Sequence, residues 1–257
     1  MDEELYQTQQ AAGPAARTMI ETAHDQIRRD ILSGKFPPGS KLRVEHLRAQ
    51  YAVGASTLRE ALSRLVGEAL VVAVGQRGFR VAPISVSDLT DLSEMRKLLE
   101  CHALHESIEH GDDRWEADVV AAFHRLSRIE ERVHENPEEL GDEWEDRNRA
   151  FHEALIAGCA NRWVLYFRKI LYTQSLRYRR LSLINRSVPR DVHAEHSAIF
   201  EATLARDADL ACRLLAEHIE KTKGVIAAIT SKMLADDGAS AKTDDFSHAA
   251  ASVAVSA

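Results

Sequence analysis

Apolar residues recur every three or four positions in three stretches near the start of the chain. The first stretch, residues 19–32, predicts a helix. Residues 42–51 predict a short second helix, and residues 56–67 predict a third helix with one apolar face. Ser56 or Thr57 can cap the third helix, because a hydroxyl group at the helix start accepts a hydrogen bond from a free backbone N–H.

A strand pattern follows the third helix. The apolar run at residues 70–74 and the segment Phe79-Arg80-Val81 flank the sequence GQRG at residues 75–78, and this arrangement predicts a β-hairpin. Three helices followed by a hairpin with a basic tip are typical of a winged helix-turn-helix. In such a module the third helix is sized for the major groove of DNA, and the wing reaches the minor groove or the backbone.

Beyond Pro83 only helical periodicity remains. The first helix of this region carries the apolar residues Leu89, Leu92, Met95, Leu98 and Leu99. Six helices are predicted, over residues 87–110, 114–134, 138–158, 161–183, 189–206 and 207–233. Their short connections favour an antiparallel bundle. The predicted fold class is mainly α, with an N-terminal winged helix-turn-helix followed by an all-α antiparallel helical bundle of about six helices.

Charge is distributed unevenly along the 257 residues. The net charge is −7, yet the segment from Arg28 to Arg80 has ten Lys and Arg against four Asp and Glu. Its local balance of +6 leaves −13 for the rest of the chain. A basic module beside an acidic body is expected when only one part contacts phosphates.

Composition also bears on the cellular compartment. No run of about 18 apolar residues is present, so no membrane span is predicted. The polar, acidic N-terminus does not look like a secretory signal. The three cysteines lie far apart and favour reduced thiols. We therefore expect a cytoplasmic protein without a membrane partner, associated with the nucleoid when bound to DNA.

The segment GKFPPGSKLRVEHLRAQYAVGASTLREALSRLVGEALVVAVGQRGFRVAPIS resembles the DNA-binding domain of GntR-family bacterial transcription regulators. The PPG turn, the TLREAL helix and the GxRGFxV wing carry the resemblance, which covers roughly residues 20–85. It implies that hydroxyl groups and an arginine of the third helix contact the operator, together with the wing. The corresponding residues are Ser56, Thr57, Arg59, Gln76, Arg77 and Gly78.

One position departs from the family pattern. Ala55 stands where the family often has an arginine, so one bidentate reader of guanine is missing. We expect Arg43, just before the second helix, to replace it in part. The operator sequence therefore cannot be copied from relatives.

Histidines in the predicted bundle form a candidate metal site. Asn148 and His152 are four residues apart, so they project from one helix face, and His196 and His218 lie on later helices. Each histidine alone is more often an ordinary core or surface residue than a ligand, but the set could converge inside a bundle. Three imidazoles and one oxygen suit zinc, nickel or another borderline divalent ion.

The segments RNRAFHEALIAGCANRWVL and EHSAIFEATLARDADLACRLLAEHI resemble the FCD effector-binding domain of the FadR subfamily. Its members commonly hold a divalent metal with an Asp-x3-His pair and two later histidines. The resemblance implies a zinc, nickel or manganese ion on Asn148, His152, His196 and His218. The departure is asparagine in place of the commoner aspartate, and a neutral amide binds the ion more weakly. His193 is a spare candidate that we do not choose.

Arg96, in the sequence MRKLLE, resembles a family arginine that lines the effector pocket. The alternative is a surface ion pair with Glu100 at i,i+4, worth only a few tenths of a kcal/mol. We predict that Arg96 is an effector-binding residue.

These features predict a transcriptional regulator, a repressor and homodimer, that binds double-stranded operator DNA under the control of a small carboxylate, an organic or amino acid. The predicted domains are a flexible arm at 1–18, the DNA-binding domain at 19–83, an FCD-type effector-binding and dimerisation domain at 84–233, and a disordered tail at 234–257.

An alternative is a metal-dependent hydrolase built on the bundle. Such an enzyme needs an open coordination position and a general base beside the metal-bound water. The sequence has no HExxH, no G-x-S-x-G and no glycine-rich phosphate loop. Glu153 and Glu195 neighbour predicted ligands, but adjacent residues on a helix point about 100° apart. We therefore predict that the protein is not an enzyme.

Overall fold

The computed structural model of the protein describes residues 18–75, 78–133, 136–184 and 190–228. These residues divide into two compact units, one that ends at Pro83 and one that begins at Ile84. Of the predicted arm at 1–18 only Thr18 is described, and the tail predicted at 234–257 lies outside the described residues.

The first unit combines helices with a small sheet. Its elements are α1 (Met19–Leu32), β1 (Lys41–Leu42), α2 (Val44–Tyr51), α3 (Ala55–Gly67), β2 (Val71–Ala73) and β3 (Phe79–Val81). The three strands form an antiparallel sheet in the order β1-β3-β2. The predicted winged helix-turn-helix is confirmed, since β2 and β3 form the hairpin that follows the third helix.

Strand β1 is a correction to the predicted second helix. Leu42 does not belong to that helix, because it pairs with Phe79 of β3 and is buried in the core of this unit. Backbone hydrogen bonds between Val81 and the preceding Gly39 and Ser40 extend the pairing, at 3.1 and 3.0 Å. The helix itself begins at Val44. The wing is therefore part of a three-stranded sheet.

Helix α3 buries the apolar face that its sequence predicts. Leu58, Ala61, Leu62 and Leu65 are inaccessible to solvent and belong to the same core cluster as α1. The predicted cap is wrong, because the N-cap is Gly54 and no side chain bonds there. The helix begins one residue earlier than predicted, so Ser56 and Thr57 lie within its first turn.

The second unit is helical throughout its described residues. Its helices are α4 (Val86–His110), α5 (Asp113–Val133), α6 (Pro137–Leu155), α7 (Arg162–Ile184), α8 (Val192–Leu204) and α9 (208–228, where the description ends). These are the six predicted helices. The largest differences inside the unit are of three residues, since α6 ends three residues before the predicted residue 158 and α8 begins three residues after the predicted residue 189. None of the helices in these ranges is both long and apolar enough to span a membrane.

Two apolar clusters hold the second unit together. The larger one is built around Leu104, Leu126, Phe151, Ile199 and Leu215, one from each of five helices. The smaller one contains Leu89, Leu92, Tyr178 and Ile226. Helix α4 contributes to both clusters, and the side chains that it buries between them are polar.

Those polar side chains are Ser93, Arg96 and Glu100, and the last two carry charge. Met95 and Leu98, two apolar residues of the same helix, are instead 45% and 64% exposed. The helix thus turns a charged face inward where the two apolar clusters separate. Charged residues are rarely buried, so this inward charged face indicates a candidate binding site.

We predict that Leu126→Ala lowers the free energy of unfolding of the helical unit by about 2–5 kcal/mol, because it leaves a cavity in the larger cluster. Val120→Ala is the matched control, since Val120 lies on the same helix with its side chain 43% exposed. The control should change that free energy by less than about 0.5 kcal/mol. Urea unfolding followed by circular dichroism measures both, and equal losses would contradict this packing.

Candidate metal centre and DNA-reading surface

The first turn of α3 presents the residues predicted to read DNA. Ser56 and Arg59 are exposed, and Thr57 is half-buried. Arg64, further along the helix, pairs with Glu60 at 3.3 Å, whereas no carboxylate in the described ranges pairs with Arg59. An exposed guanidinium without a partner can bind a guanine edge or a phosphate with both of its donor groups.

The remaining predicted DNA contacts lie around the sheet. Arg43 is exposed and provides the N-cap residue of α2, without a side-chain capping bond. Gly78 has a φ of +88°, and its carbonyl oxygen accepts a hydrogen bond from the backbone N–H of Val74 at 2.8 Å. Glycine is favoured at such a positive φ, so Gly78 allows the backbone turn at the tip of the wing. Gln76 and Arg77 lie outside the described residues, and their role stays a prediction.

In the helical unit, three histidines from three helices come together. His152 of α6, His196 of α8 and His218 of α9 each offer a ring nitrogen, and these nitrogen atoms lie within 4.8 Å of one another. All three residues are buried. Within the described ranges no other group of three His, Cys, Asp or Glu residues has its donor atoms so close.

Asn148 lies one helical turn before His152 and is also buried. Its Nδ2 donates a hydrogen bond to the hydroxyl oxygen of Tyr172 at 3.1 Å, which leaves Oδ1 as a buried acceptor. Neither Asn148 Oδ1 nor His196 Nε2 has a hydrogen-bond partner among the described residues. Buried polar atoms are rarely left without a partner, so these two acceptor atoms indicate a place for a ligand or ion.

Two carboxylates orient His196 and His218 by hydrogen bonds to their Nδ1 atoms. The Nδ1 atom of His196 lies 2.7 Å from Glu130 Oε1, and the Nδ1 atom of His218 lies 2.9 Å from Glu195 Oε2. A carboxylate partner places the imidazole proton on Nδ1 and leaves the lone pair of Nε2 free for a metal. Glu130 also accepts from His193 through its second oxygen, at 2.9 Å. His193 therefore supports the site from outside and is not one of the converging histidines.

Burial keeps His152 and His218 neutral, and hydrogen bonds keep Glu195 charged. Burial, followed by the nearby His218 and His196, holds the pKa of His152 well below its ordinary value. Burial likewise lowers the pKa of His218 to about 3. Although burial raises the pKa of Glu195, hydrogen bonds from Arg190 and His218 outweigh it and lower that pKa to about 2. These are the protonation states that metal binding requires.

A group of arginines surrounds Tyr172 beside the histidines. The guanidinium carbons of Arg96, Arg168 and Arg179 lie 5.1, 4.3 and 4.5 Å from the centre of its ring. The Arg96–Glu100 contact exists, with Nε and Oε1 2.7 Å apart, but both residues are buried. The alternative interpretation, an Arg96–Glu100 ion pair at the surface, is therefore wrong, because the pair forms in the interior.

Four residues of this region were not predicted from the sequence, namely Glu130, Arg168, Tyr172 and Arg179. Charged residues on helices are normally assigned to the solvent-exposed face. Helical spacing could have indicated Glu130, which is four residues after Leu126 and three before Val133 and so belongs to the apolar face of α5. Arg168, Tyr172 and Arg179 share one face of α7 at similar spacing.

The donor atoms suit a divalent cation. Three imidazoles and one amide oxygen form a set that borderline metals accept, and two of the four atoms have no hydrogen-bond partner among the described residues. Metal-ligating histidines usually donate their second ring nitrogen to a carboxylate, which Glu130 and Glu195 provide here.

Comparison with known proteins identifies both units. The family model described as bacterial regulatory proteins, gntR family, matches residues 19–81, and the FCD domain model matches residues 91–221. An uncharacterized HTH-type transcriptional regulator, BphR of Paraburkholderia xenovorans (strain LB400), is 45% identical over 210 residues, 82% of this chain and 86% of that protein. The HTH-type transcriptional repressor GlaR of Escherichia coli (strain K12) is 39% identical over 197 residues, 75% of this chain and 89% of that protein.

Solved structures have the same fold. E. coli McbR/YncC has a TM-score of 0.66 at 18% identity and covers 82% of this chain and 98% of its own. A GntR transcriptional regulator from Rhodococcus sp. RHA1 also has a TM-score of 0.66, at 20% identity, and covers 81% of this chain and 97% of its own. The chain therefore belongs to the GntR family of DNA-binding bacterial transcription regulators and carries an FCD domain.

Proposed function

We propose that this regulator is a repressor whose operator binding is modulated by a small carboxylate, held together with a divalent metal in the FCD domain. The observation that carries the proposal is the buried cluster of three histidines, because His196 Nε2 of this cluster and Asn148 Oδ1 have no hydrogen-bond partner among the described residues. The relative GlaR is named a repressor, which supports the sign of regulation.

The residues that would hold the metal are Asn148, His152, His196 and His218. Imidazole ligands suit zinc and nickel, and the amide oxygen is compatible with these and with manganese. When bound, the metal supplies a positive charge that neutral ligands do not cancel, and this charge attracts an anion. We propose that this anion is the carboxylate of the effector. We assign Arg96 to its site, because the guanidinium carbon of Arg96 lies 5.1 Å from the ring centre of Tyr172, whose hydroxyl group accepts from Asn148.

Control of DNA binding would follow from helix packing. The proposed ligands come from α6, α8 and α9, so an ion and an acid at this place favour one arrangement of these helices over others. A repressor of this kind acts where its operator lies, which places it in the cytoplasm and on the nucleoid when bound.

A homodimer is the assembly that we propose. Symmetric dimers match palindromic operators, because each copy reads one half-site. An exposed aromatic surface on α7 supports this proposal. It consists of Trp163, Tyr166 and Phe167, which are each at least half exposed and contact one another. Covering such a group removes apolar surface from water.

The two glutamates that neighbour the predicted ligands in sequence are unsuited to act as the base of a hydrolase. Glu153 is exposed. Glu195 is hydrogen-bonded to Arg190 and His218, and its pKa of about 2 makes it a weak base. We therefore propose a sensor that returns its carboxylate unchanged, and product analysis after incubation distinguishes a sensor from an enzyme.

For DNA reading, we predict that Arg59→Ala weakens operator binding by about 1–3 kcal/mol, because an exposed contact to a base or phosphate is lost. Arg114→Ala removes the same charge from an exposed position in the FCD domain and should bind operator as the wild type does. Titration of fluorescent operator and scrambled duplexes measures both. If Arg59→Ala discriminates operator from scrambled DNA as well as the wild type, α3 does not read DNA through this residue.

For the metal, we predict that Glu130→Gln lowers zinc affinity about 10- to 100-fold. A glutamine has only one acceptor oxygen, so it cannot accept from both His196 and His193 as Glu130 does. The control is Glu131→Gln, the exposed neighbouring residue, which should bind zinc normally. Competition with a chromophoric chelator gives the affinities, and circular dichroism checks the fold. Equal zinc affinity in Glu130→Gln and the wild type would argue against His196 as a ligand.

A further inference from the structure

Arg168 on α7 has an unusual environment for a charged residue. Only 3% of the residue is accessible to solvent. Its Nε and Nη2 atoms are buried and have no hydrogen-bond partner among the described residues. The nearest carboxylate oxygen that pairs with it is Glu100 Oε2, at 3.9 Å from Nη2. That separation is beyond hydrogen-bonding distance.

The charges around Arg168 do not cancel. Of the three guanidinium groups near Tyr172, Arg96 is bonded to Glu100 at 2.7 Å. Arg179 donates two hydrogen bonds to Glu145, at 2.6 and 3.2 Å. Among the described residues, Arg168 therefore remains a buried cation without a hydrogen-bonded carboxylate. Burying a charge without such a counterion is costly, so its retention calls for a partner beyond those that the described residues supply.

The two unpaired atoms also have a specific geometry. Nε and Nη2 form one edge of the planar guanidinium, where two N–H groups point in the same direction. This edge matches the two oxygens of a carboxylate and binds them with two parallel hydrogen bonds. The unused donors of Arg168 are thus the pair that a carboxylate would occupy.

Arg168 is close to the histidine cluster. Both lie beside Tyr172, whose ring centre is 4.3 Å from the Arg168 guanidinium carbon and 6.1 Å from the centre of the His152 ring. The same buried region thus contains acceptor atoms that suit a cation and, a short distance away, a donor edge that suits an anion.

We infer that Arg168 binds a second carboxylate of the effector, so that the effector is a small dicarboxylate with one end at the metal and the other at Arg168. This inference rests on the proposed function, since it needs a metal at the histidine cluster. It assigns Arg168 as the residue that selects dicarboxylates over monocarboxylates.

The test uses the zinc-loaded full chain and calorimetry. The probes are the linear dicarboxylates from malonate to adipate, each compared with the monocarboxylate of equal carbon number. At least one dicarboxylate should bind about tenfold or more tightly than its matched monocarboxylate, because charge-assisted hydrogen bonds to a buried arginine are added. Arg168→Met should remove that preference, and Arg162→Met, an exposed change on the same helix, should keep it.

A second measurement separates ligand binding from a structural role. Without ligand, Arg168→Met removes an uncompensated buried charge while keeping the length of the side chain, so its melting temperature should equal or exceed that of the wild type. Zinc affinity should be unchanged. A clearly lower melting temperature would show that Arg168 stabilises the fold and would overturn the inference.

The remaining outcomes distinguish this inference from the proposed function. Equal affinity of matched mono- and dicarboxylates in the wild type, or a preference that persists in Arg168→Met, overturns the role of Arg168 and leaves a metal-bound carboxylate standing. If zinc-loaded wild type binds no acid of either series, both proposals fail. If the wild type does not bind zinc, the proposed function fails at its first step and the inference fails with it.

Discussion

The need to satisfy buried polar atoms governs the FCD domain of this regulator. Removing polar groups from water is costly unless they find partners, and most of those buried here do. The pairs are Glu130 with His196, Glu195 with His218, Arg96 with Glu100, and Arg179 with Glu145. Among the described residues of this domain, the atoms left over are two acceptors, on Asn148 and His196, and one pair of donors on Arg168. The acceptors suit a cation and the donors suit an anion, so together they support the proposed metal and acid.

The same constraint links binding to conformation. Each helix from α4 to α9 contributes at least one residue to the polar region, while the apolar clusters on either side hold the helices together. A ligand that satisfies the remaining atoms stabilises the arrangement in which they converge. In the DNA-binding unit the buried residues are apolar and the candidate reading residues lie at its surface, as a module built to contact phosphates requires.

Much of the fold can be predicted from the sequence, because apolar residues at helical spacing mark each helix. Strand β1 could not be predicted, since two residues are too few for a pattern and the strand depends on pairing with Phe79 and Arg80. Met95 and Leu98 count with the apolar residues of α4, but they are exposed because this helix buries charged residues instead. The converging histidines are suggested by spacing and resemblance, whereas Arg168 is not, because its importance depends on the partners that it lacks and only the tertiary structure reveals these.

X-ray absorption spectroscopy of the zinc-loaded protein tests the central claim most directly, because it reports the atoms around the metal. The account predicts a first shell of nitrogen and oxygen only, at about 2.0–2.1 Å, with the outer-shell scattering of three imidazoles. Three cysteines elsewhere in the chain make the alternative measurable. Sulfur at about 2.3 Å, or fewer than three imidazoles in a fully loaded sample, would contradict a metal centre at His152, His196 and His218.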